Sequence, residues 1–263
     1  GTVALLRAHT QGGWLRRELL AVEADAAILM GQLVWDASQR RDHAGARAHY
    51  QRAAQAARHL GHPAVESLAT LRTCYLALYG ENQPHTGLAL AGRASELAGT
   101  ASPVLAGLAA LHAAEAHARL GQGDDCDVRL TEAEDHLGKI TTDDAAYQLV
   151  TPAHYGRLAG SCYLSLGRHD QAEQVLTTTA RQIRPTSKSR AIVLGNLALA
   201  RLQQHDLDGA ATAAHEAIDV LELTWGGGGL SIVFSAARQM KPWVRTPAVS
   251  DVRERLLSLI AAH

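Results

Sequence analysis

Aromatic residues are scarce in this sequence, at 4% of the chain with a single phenylalanine. Hydrophobic residues nonetheless make up 47% of it, and alanine and leucine dominate them. Aromatic and β-branched side chains favour strands, whereas alanine and leucine are the strongest helix formers. The shortage of rings therefore disfavours a β-sandwich. It predicts an all-α fold in which helices pack closely.

Neither sign of charge is in excess, since the formal net charge is −1 and the isoelectric point is about 7.0. Without a basic cluster, the chain alone is not expected to bind nucleic acid. No apolar run is long enough to cross a bilayer, and the first residues lack a signal-peptide pattern. We therefore expect no membrane contact and a cytoplasmic location.

Groups with the spacing of a metal or catalytic site are also missing. The three cysteines, Cys74, Cys126 and Cys162, are dispersed, which indicates reduced thiols in a core. In the segment HAAEAH, His112 and His117 are five residues apart, whereas a zinc-binding helix needs four. No nucleophile elbow is present. We expect no metal, no cofactor and no catalytic residue.

One segment, residues 160–180, has the pattern of a helical hairpin. It reads GSCYLSLGRHDQAEQVLTTTA, with a turn predicted at Gly167. Beyond this turn, Ala172, Leu176 and Thr179 follow one another at spacings of four and three residues, which places them on one helical face.

The same spacing recurs along the chain, at intervals of roughly 40 residues. The first positions of the five triplets are Ala46, Gly87, Cys126, Ala172 and Ala210. This pattern resembles tetratricopeptide repeats with lengthened helices. It predicts one domain, a TPR-like superhelix (α-solenoid) of about five hairpins, with a long N-terminal helix over 1–40, repeats over 42–225 and capping helices over 230–263.

A narrower resemblance covers nearly the whole chain. The segments that carry it include LLRAHTQGGWLRRELL, SCYLSLGRHDQAEQVL and MKPWVRTPAVSDVRERL. They are similar to the C-terminal repeat region of actinobacterial helix-turn-helix transcriptional regulators of the XRE type. The resemblance implies a role in transcriptional regulation, in which DNA is contacted only through an N-terminal domain that this sequence does not contain.

The first helix of each stacked hairpin is expected to line a concave groove. Its predicted lining combines apolar, aromatic and ionisable side chains, as ligand pockets do. The arginines suit a carboxylate or backbone carbonyls, and the amides suit a peptide backbone; for the aromatic residues, packing between repeats is the alternative. The candidate ligand-binding residues are Gln32, Trp35, Arg72, Tyr79, Glu115, His154, Arg157 and Asn196.

The predicted function is ligand sensing or partner binding, with a small molecule or peptide in the groove. Two alternatives remain open: a biosynthetic enzyme built on the same scaffold, with its active site in the groove, and a plain protein-interaction platform. A homodimer is a further candidate assembly.

Two segments interrupt the helical pattern. The glycine run 226–229 is interpreted as a turn before a capping helix that begins near Leu230, with a hinge or lid as the alternative. A phosphate-binding loop is disfavoured because no strand precedes the glycines and no lysine follows them. Pro152 lies within a helix predicted over 143–166 and is expected to kink or break it near Val150.

Overall fold

The computed structural model describes residues 13–38, 41–151, 153–225 and 227–262. Within these ranges all regular structure is helical and no strand occurs, which confirms the all-α prediction. Among the same residues, no helix combines the length and the apolar character that a membrane span requires.

The chain divides into two compact units, Gly1–Val150 and Thr151–His263. In the first unit each helix packs against the one before it, and a π-helical turn, Leu76–Gly80, extends the third helix. The helices are α1 (Gly13–Ala37), α2 (His43–Leu60), α3 (Pro63–Tyr75), α4 (Pro84–Ala98), α5 (Pro103–Arg119) and α6 (Gly123–Leu137).

The second unit begins with two hairpins and ends with two further helices. One of these, α11, packs against α9, and the other, α12, packs against α10. The helices are α7 (Ala153–Ser165), α8 (His169–Gln182), α9 (Lys188–Gln203), α10 (Leu207–Thr224), α11 (Gly227–Gln239) and α12 (Pro247–Ala261).

Contacts between small and large residues hold the two helices of a hairpin together. A Cβ atom added at Gly160 would lie 2.5 Å from Leu176 Cδ2, and one added at Gly31 would lie 2.5 Å from Tyr50 Cε1. Every residue of the five predicted triplets is buried. The predicted spacing is therefore confirmed as the face on which the hairpins pack.

The turns inside the later hairpins share one backbone conformation. Gly121 and Gly167 have φ values of 74° and 72°, and His205 has a φ of 64° at the corresponding place. An L-residue with a side chain adopts this left-handed region at a cost of roughly 1–2 kcal/mol. His205, which stands where glycine is usual, thus forms the same turn under strain.

The chain around Pro152 differs in part from its prediction. The predicted break is confirmed, because α7 begins only at Ala153 and a single 3₁₀ turn, Tyr147–Leu149, precedes it. The helix predicted to start at residue 143 is wrong. Asp144 instead accepts hydrogen bonds from Ser102 Oγ and the Val104 amide, at 2.8 and 3.0 Å, which ties this segment to the start of α5. Pro152 itself lies outside the described residues.

The predicted glycine turn is also shorter than expected. Helix α11 begins at Gly227 and not near Leu230, while Gly226 lies outside the described residues. Gly229 is buried, and a Cβ added to it would lie 2.9 Å from Ala191 Cβ of α9. The need for close contact between α11 and α9 explains why this glycine lies inside a helix.

We predict that Ala172→Leu destabilises the protein by roughly 1–3 kcal/mol, because Ala172 is fully buried and additional methylene groups overpack the contact. Thermal unfolding of the variant should show a clearly lowered Tm. Gln174→Leu, at an exposed position of the same helix, is the control and should change the Tm little. An unchanged Tm for Ala172→Leu would contradict the assigned packing.

We also predict that His205→Gly stabilises the protein by about 0.5–1 kcal/mol, since it removes left-handed strain at an exposed position while adding freedom to the unfolded chain. Gly167→Ala is the matched reverse change. The added Cβ there meets no atom within 4 Å, so any loss of stability measures backbone strain alone. Urea unfolding of both variants provides the test, and a destabilised His205→Gly would refute the shared turn.

Candidate functional site

Two tyrosines and three ionisable side chains meet in the first unit, between the end of α3 and the second half of α5. We call Tyr75, Tyr79, His112, Glu115 and Arg119 the tyrosine cluster. Tyr79 and Glu115 are predicted ligand-binding residues, and the structure joins them directly by a hydrogen bond. The other three members were not predicted.

The hydrogen bonds of the cluster determine where its protons lie. The Tyr79 hydroxyl donates to Glu115 Oε2, and Arg119 Nη2 donates to Glu115 Oε1 at 2.8 Å. A hydroxyl has only one proton. The 2.9 Å contact between the Tyr79 oxygen and His112 Nδ1 is therefore a hydrogen bond donated by the imidazole, which places a proton on Nδ1.

The Glu115 side chain remains ionised although it is only 2% exposed. Burial raises its pKa, but neighbouring groups outweigh that effect and lower the pKa to about 2. These groups are His112, whose Nδ1 atom lies 3.7 Å from Glu115 Oε2, the charge of Arg119 and the Tyr79 hydroxyl. Both carboxylate oxygens have donors from the protein itself. The charge of Glu115 therefore serves internal structure and is not presented to a ligand.

The aromatic rings of the cluster lie between charged groups. The Tyr75 and His112 ring centres are 4.3 Å apart. The Arg119 guanidinium carbon lies 5.3 Å from the centre of the Tyr79 ring, and that of Arg72 lies 5.5 Å from the Tyr75 ring. Both tyrosines are half-buried, so they retain exposed surface for a ligand while the opposite side is held by the network.

Trp35 supports this arrangement from α1. It is buried in a hydrophobic cluster with Tyr50 and Leu76, against which Tyr75 and Tyr79 also pack. The alternative that Trp35 acts in packing between repeats is therefore the one that its contacts favour. Gln32, three residues earlier on α1, is exposed to solvent.

Arg72 has a buried donor without an acceptor. Its side chain is half-buried on α3, and its Nε atom is buried with no hydrogen-bond acceptor in the structure. No ion pair joins it to any described residue. A guanidinium carries five donors in a planar fork that matches a carboxylate. Arg72 thus provides unused donors beside an aromatic surface.

The predicted site residues of the second unit lie on α7 and α9. His154 Nδ1 accepts a hydrogen bond from the Thr151 amide at 2.9 Å, at the start of α7. Arg157 is half-buried on the same helix, and Asn196 on α9 is only 6% exposed.

Parts of the expected groove lining are covered. A Cβ added at Gly195 would lie 2.8 Å from Ile232 Cγ2, because α11 packs on that side of α9. On α5, Leu108 and Leu111 are buried at 3% and 0% exposure. At these positions the first helices of the third and fifth hairpins are therefore buried and do not line an open groove. The physical reason at Gly195 is that α11 packs against α9, the first helix of the fifth hairpin.

One cleft was not predicted from the sequence. It has a volume of about 590 Å³ and lies between α1 and α2, where its polar lining includes Arg16, Arg17, Arg52 and His59. The Arg52 guanidinium is bonded to the buried carboxylate of Glu23 at 2.9 Å. Arg16, Arg17 and His59 are exposed, so the two arginines bring charge to a cleft that has little enclosure.

Among the described residues, the side chains that could bind a metal ion do not come together. Within the described ranges, no group of three histidine, cysteine or acidic side chains is arranged to hold a metal ion. His117 turns away from His112 and contacts Gln122 Oε1 at 2.8 Å, as its spacing predicts.

No profile of a known protein family matches the chain, and no curated protein is significantly similar to it.

The Glu115 carboxylate should make the free energy of unfolding decrease at low pH. Its pKa falls from 4.5 to about 2 on folding, so its stabilisation is complete above pH 4.5 and is lost as the pH falls through 2. This pKa shift corresponds to a contribution of about 3 kcal/mol to the free energy of unfolding above pH 4.5. Wild-type stability should therefore fall more steeply than that of Glu115→Gln between pH 5 and pH 2, when measured by urea unfolding.

The control for this experiment is Glu96→Gln, which changes an exposed carboxylate on α4. That variant should retain the wild-type slope. If Glu115→Gln also retained it, Glu115 would not carry the predicted charge in the folded protein.

Proposed function

We propose that this chain is the ligand-sensing or partner-binding region of a transcriptional regulator, built as a TPR-like superhelix, and that it binds a carboxylate-bearing small molecule or peptide beside the tyrosine cluster. The observation that carries the proposal is Arg72, a half-buried arginine whose donors are unused. The regulatory context rests on the resemblance of the repeat segments to regulators of the XRE type.

The chemistry around Arg72 suits an organic acid. Arginine and carboxylate form paired, charge-assisted hydrogen bonds with defined orientation, and the Tyr75 ring beside Arg72 restricts where the guanidinium points. The exposed edges of Tyr75 and Tyr79 supply apolar contact for the remainder of the ligand. Because Glu115 is already bonded to Arg119 and Tyr79, it does not compete for Arg72.

The position of the cluster gives binding a route to the rest of the domain. The cluster and its support draw on the first helices of three successive hairpins. Helix α1 contributes Trp35, the turn that extends α3 contributes Tyr79, and α5 contributes Glu115. A ligand held by Arg72 and the tyrosines would favour one relative arrangement of these helices, and a ligand with such a preference shifts the equilibrium toward it. DNA would be contacted by a separate N-terminal domain.

A thermal-shift screen of aliphatic acids, aromatic acids and short peptides tests the assignment. At least one carboxylate should raise the wild-type Tm. Replacement of its carboxylate by an amide should abolish the shift. Arg72→Gln should weaken binding of that compound by at least tenfold, about 1.4 kcal/mol, when affinity is measured by calorimetry.

Arg157→Gln is the matched control, because Arg157 is also a half-buried arginine and also a predicted site residue. Binding that survives Arg157→Gln but not Arg72→Gln supports a site in the first unit. The reverse result would place the ligand in the second unit, and binding unaffected by either change would contradict a site built on these arginines.

A further inference from the structure

Helix α1 has apolar residues on two faces, and one of these faces is uncovered. Its inner face packs within the first unit and includes Ala24, Ala27, Ile28, Gly31 and Trp35. On the other side, large apolar side chains reach solvent, with Leu29 exposed at 62% and Leu33 at 59%. A helix that is apolar on all sides is normally buried on all sides.

The exposed apolar residues of this face, together with the half-buried Leu19, follow the spacing of a coiled coil. They succeed one another at alternating intervals of four and three residues, which keeps them on one stripe. The stripe extends from residue 15 to residue 33, a length of about 27 Å at 1.5 Å per residue. We define the α1 stripe as Leu15, Leu19, Val22, Ala26, Leu29 and Leu33.

We propose that the α1 stripe is the interface of a homodimer, in which α1 of one copy pairs with α1 of the other in antiparallel orientation. A two-fold axis near residue 24 gives a self-complementary register: Leu15 meets Leu33, Leu19 meets Leu29, and Val22 meets Ala26. Large side chains then lie at the ends and small ones at the centre, so the helices approach closely. Two-fold contacts of this kind use the same surface twice.

The area of this surface is sufficient for a stable pair. Covering the exposed parts of the stripe and of its neighbours Trp14 and Met30 in both copies removes on the order of 1,300 Å² from solvent, within the range of specific interfaces. The antiparallel orientation also brings the basic start of the stripe, at Arg16, near Asp36 at the end of the other copy. Area and end charges both favour a second copy as the occupant.

One contact in this register is unfavourable and provides a specific test. Asp25 is exposed and lies next to the proposed axis, so the two copies of its carboxylate face each other, and like charges at such a place oppose association. Asp25→Asn should therefore tighten the dimer several-fold. Loss of a merely structural side chain would not improve association.

Light scattering and sedimentation of the 263-residue chain should show a dimer at micromolar concentration. Leu29→Asp should weaken the dimer at least tenfold without loss of helical circular dichroism. Leu223→Asp is the control, because Leu223 is 71% exposed on α10 and outside the stripe, and it should remain dimeric. A wild-type monomer at the highest soluble concentration would overturn the proposal and leave the stripe to a different partner. A dimer insensitive to both Leu29→Asp and Asp25→Asn would also overturn it.

Cysteine cross-linking tests the orientation separately. The double variant Leu19→Cys/Leu29→Cys should form disulfides between copies under mild oxidation, while each single variant should not, because position 19 faces position 29 only in the antiparallel arrangement. Efficient cross-linking of both single variants would show a parallel pair and overturn the register. These results do not depend on Arg72, so the dimer and the proposed ligand site can fail independently.

Discussion

The structure depends on close approach between the helices of each hairpin. Where the first helix carries glycine and the second carries a large side chain, as at Gly31 with Tyr50 and Gly160 with Leu176, the backbones come near enough to bury a continuous alanine- and leucine-rich face. A single hairpin of this composition cannot bury its apolar surface alone, so each one requires a neighbour. This requirement explains the recurrence along the chain. The close approach of the helices explains the scarcity of large aromatic residues in the core.

The tyrosine cluster is an exception to this apolar packing and lies between the first helices of the second and third hairpins. A buried carboxylate is tolerated only when it is paired and hydrogen-bonded, and Glu115 satisfies that condition through Arg119 and Tyr79. The same bonds fix the Tyr79 ring and the proton on His112. The result is a surface of half-buried rings beside Arg72, whose buried Nε atom has no acceptor.

The helices could be predicted from the sequence because their packing rules are local. The recurring spacing of four and three residues identifies the buried face of each predicted triplet. Among the described residues, the predicted helix limits fail at two places, near Pro152 and near Gly227. Asp144 and Gly229 explain those two exceptions: each makes a contact with a distant helix that no local pattern reveals.

The site was harder to predict for the same reason. Repeat position alone selected Trp35, Arg72, Tyr79 and Glu115, which the structure places in or next to one cluster. It could not reveal that Arg72, unlike Arg157, has a buried Nε atom without an acceptor, and it missed Tyr75 and Arg119. Repeat spacing also could not predict that α11 covers Gly195, because this contact depends on the path of the chain after its last hairpin.

The central claim is that the Arg72 guanidinium receives the carboxylate of a ligand. Nuclear magnetic resonance of ¹⁵N-arginine-labelled protein observes that group directly during a titration with a carboxylic acid that raises the Tm. The guanidinium signal of Arg72 should shift and saturate with the binding curve, while that of Arg157 should stay in place. A ligand that saturates the protein and leaves the Arg72 signal unchanged would contradict a site built on Arg72.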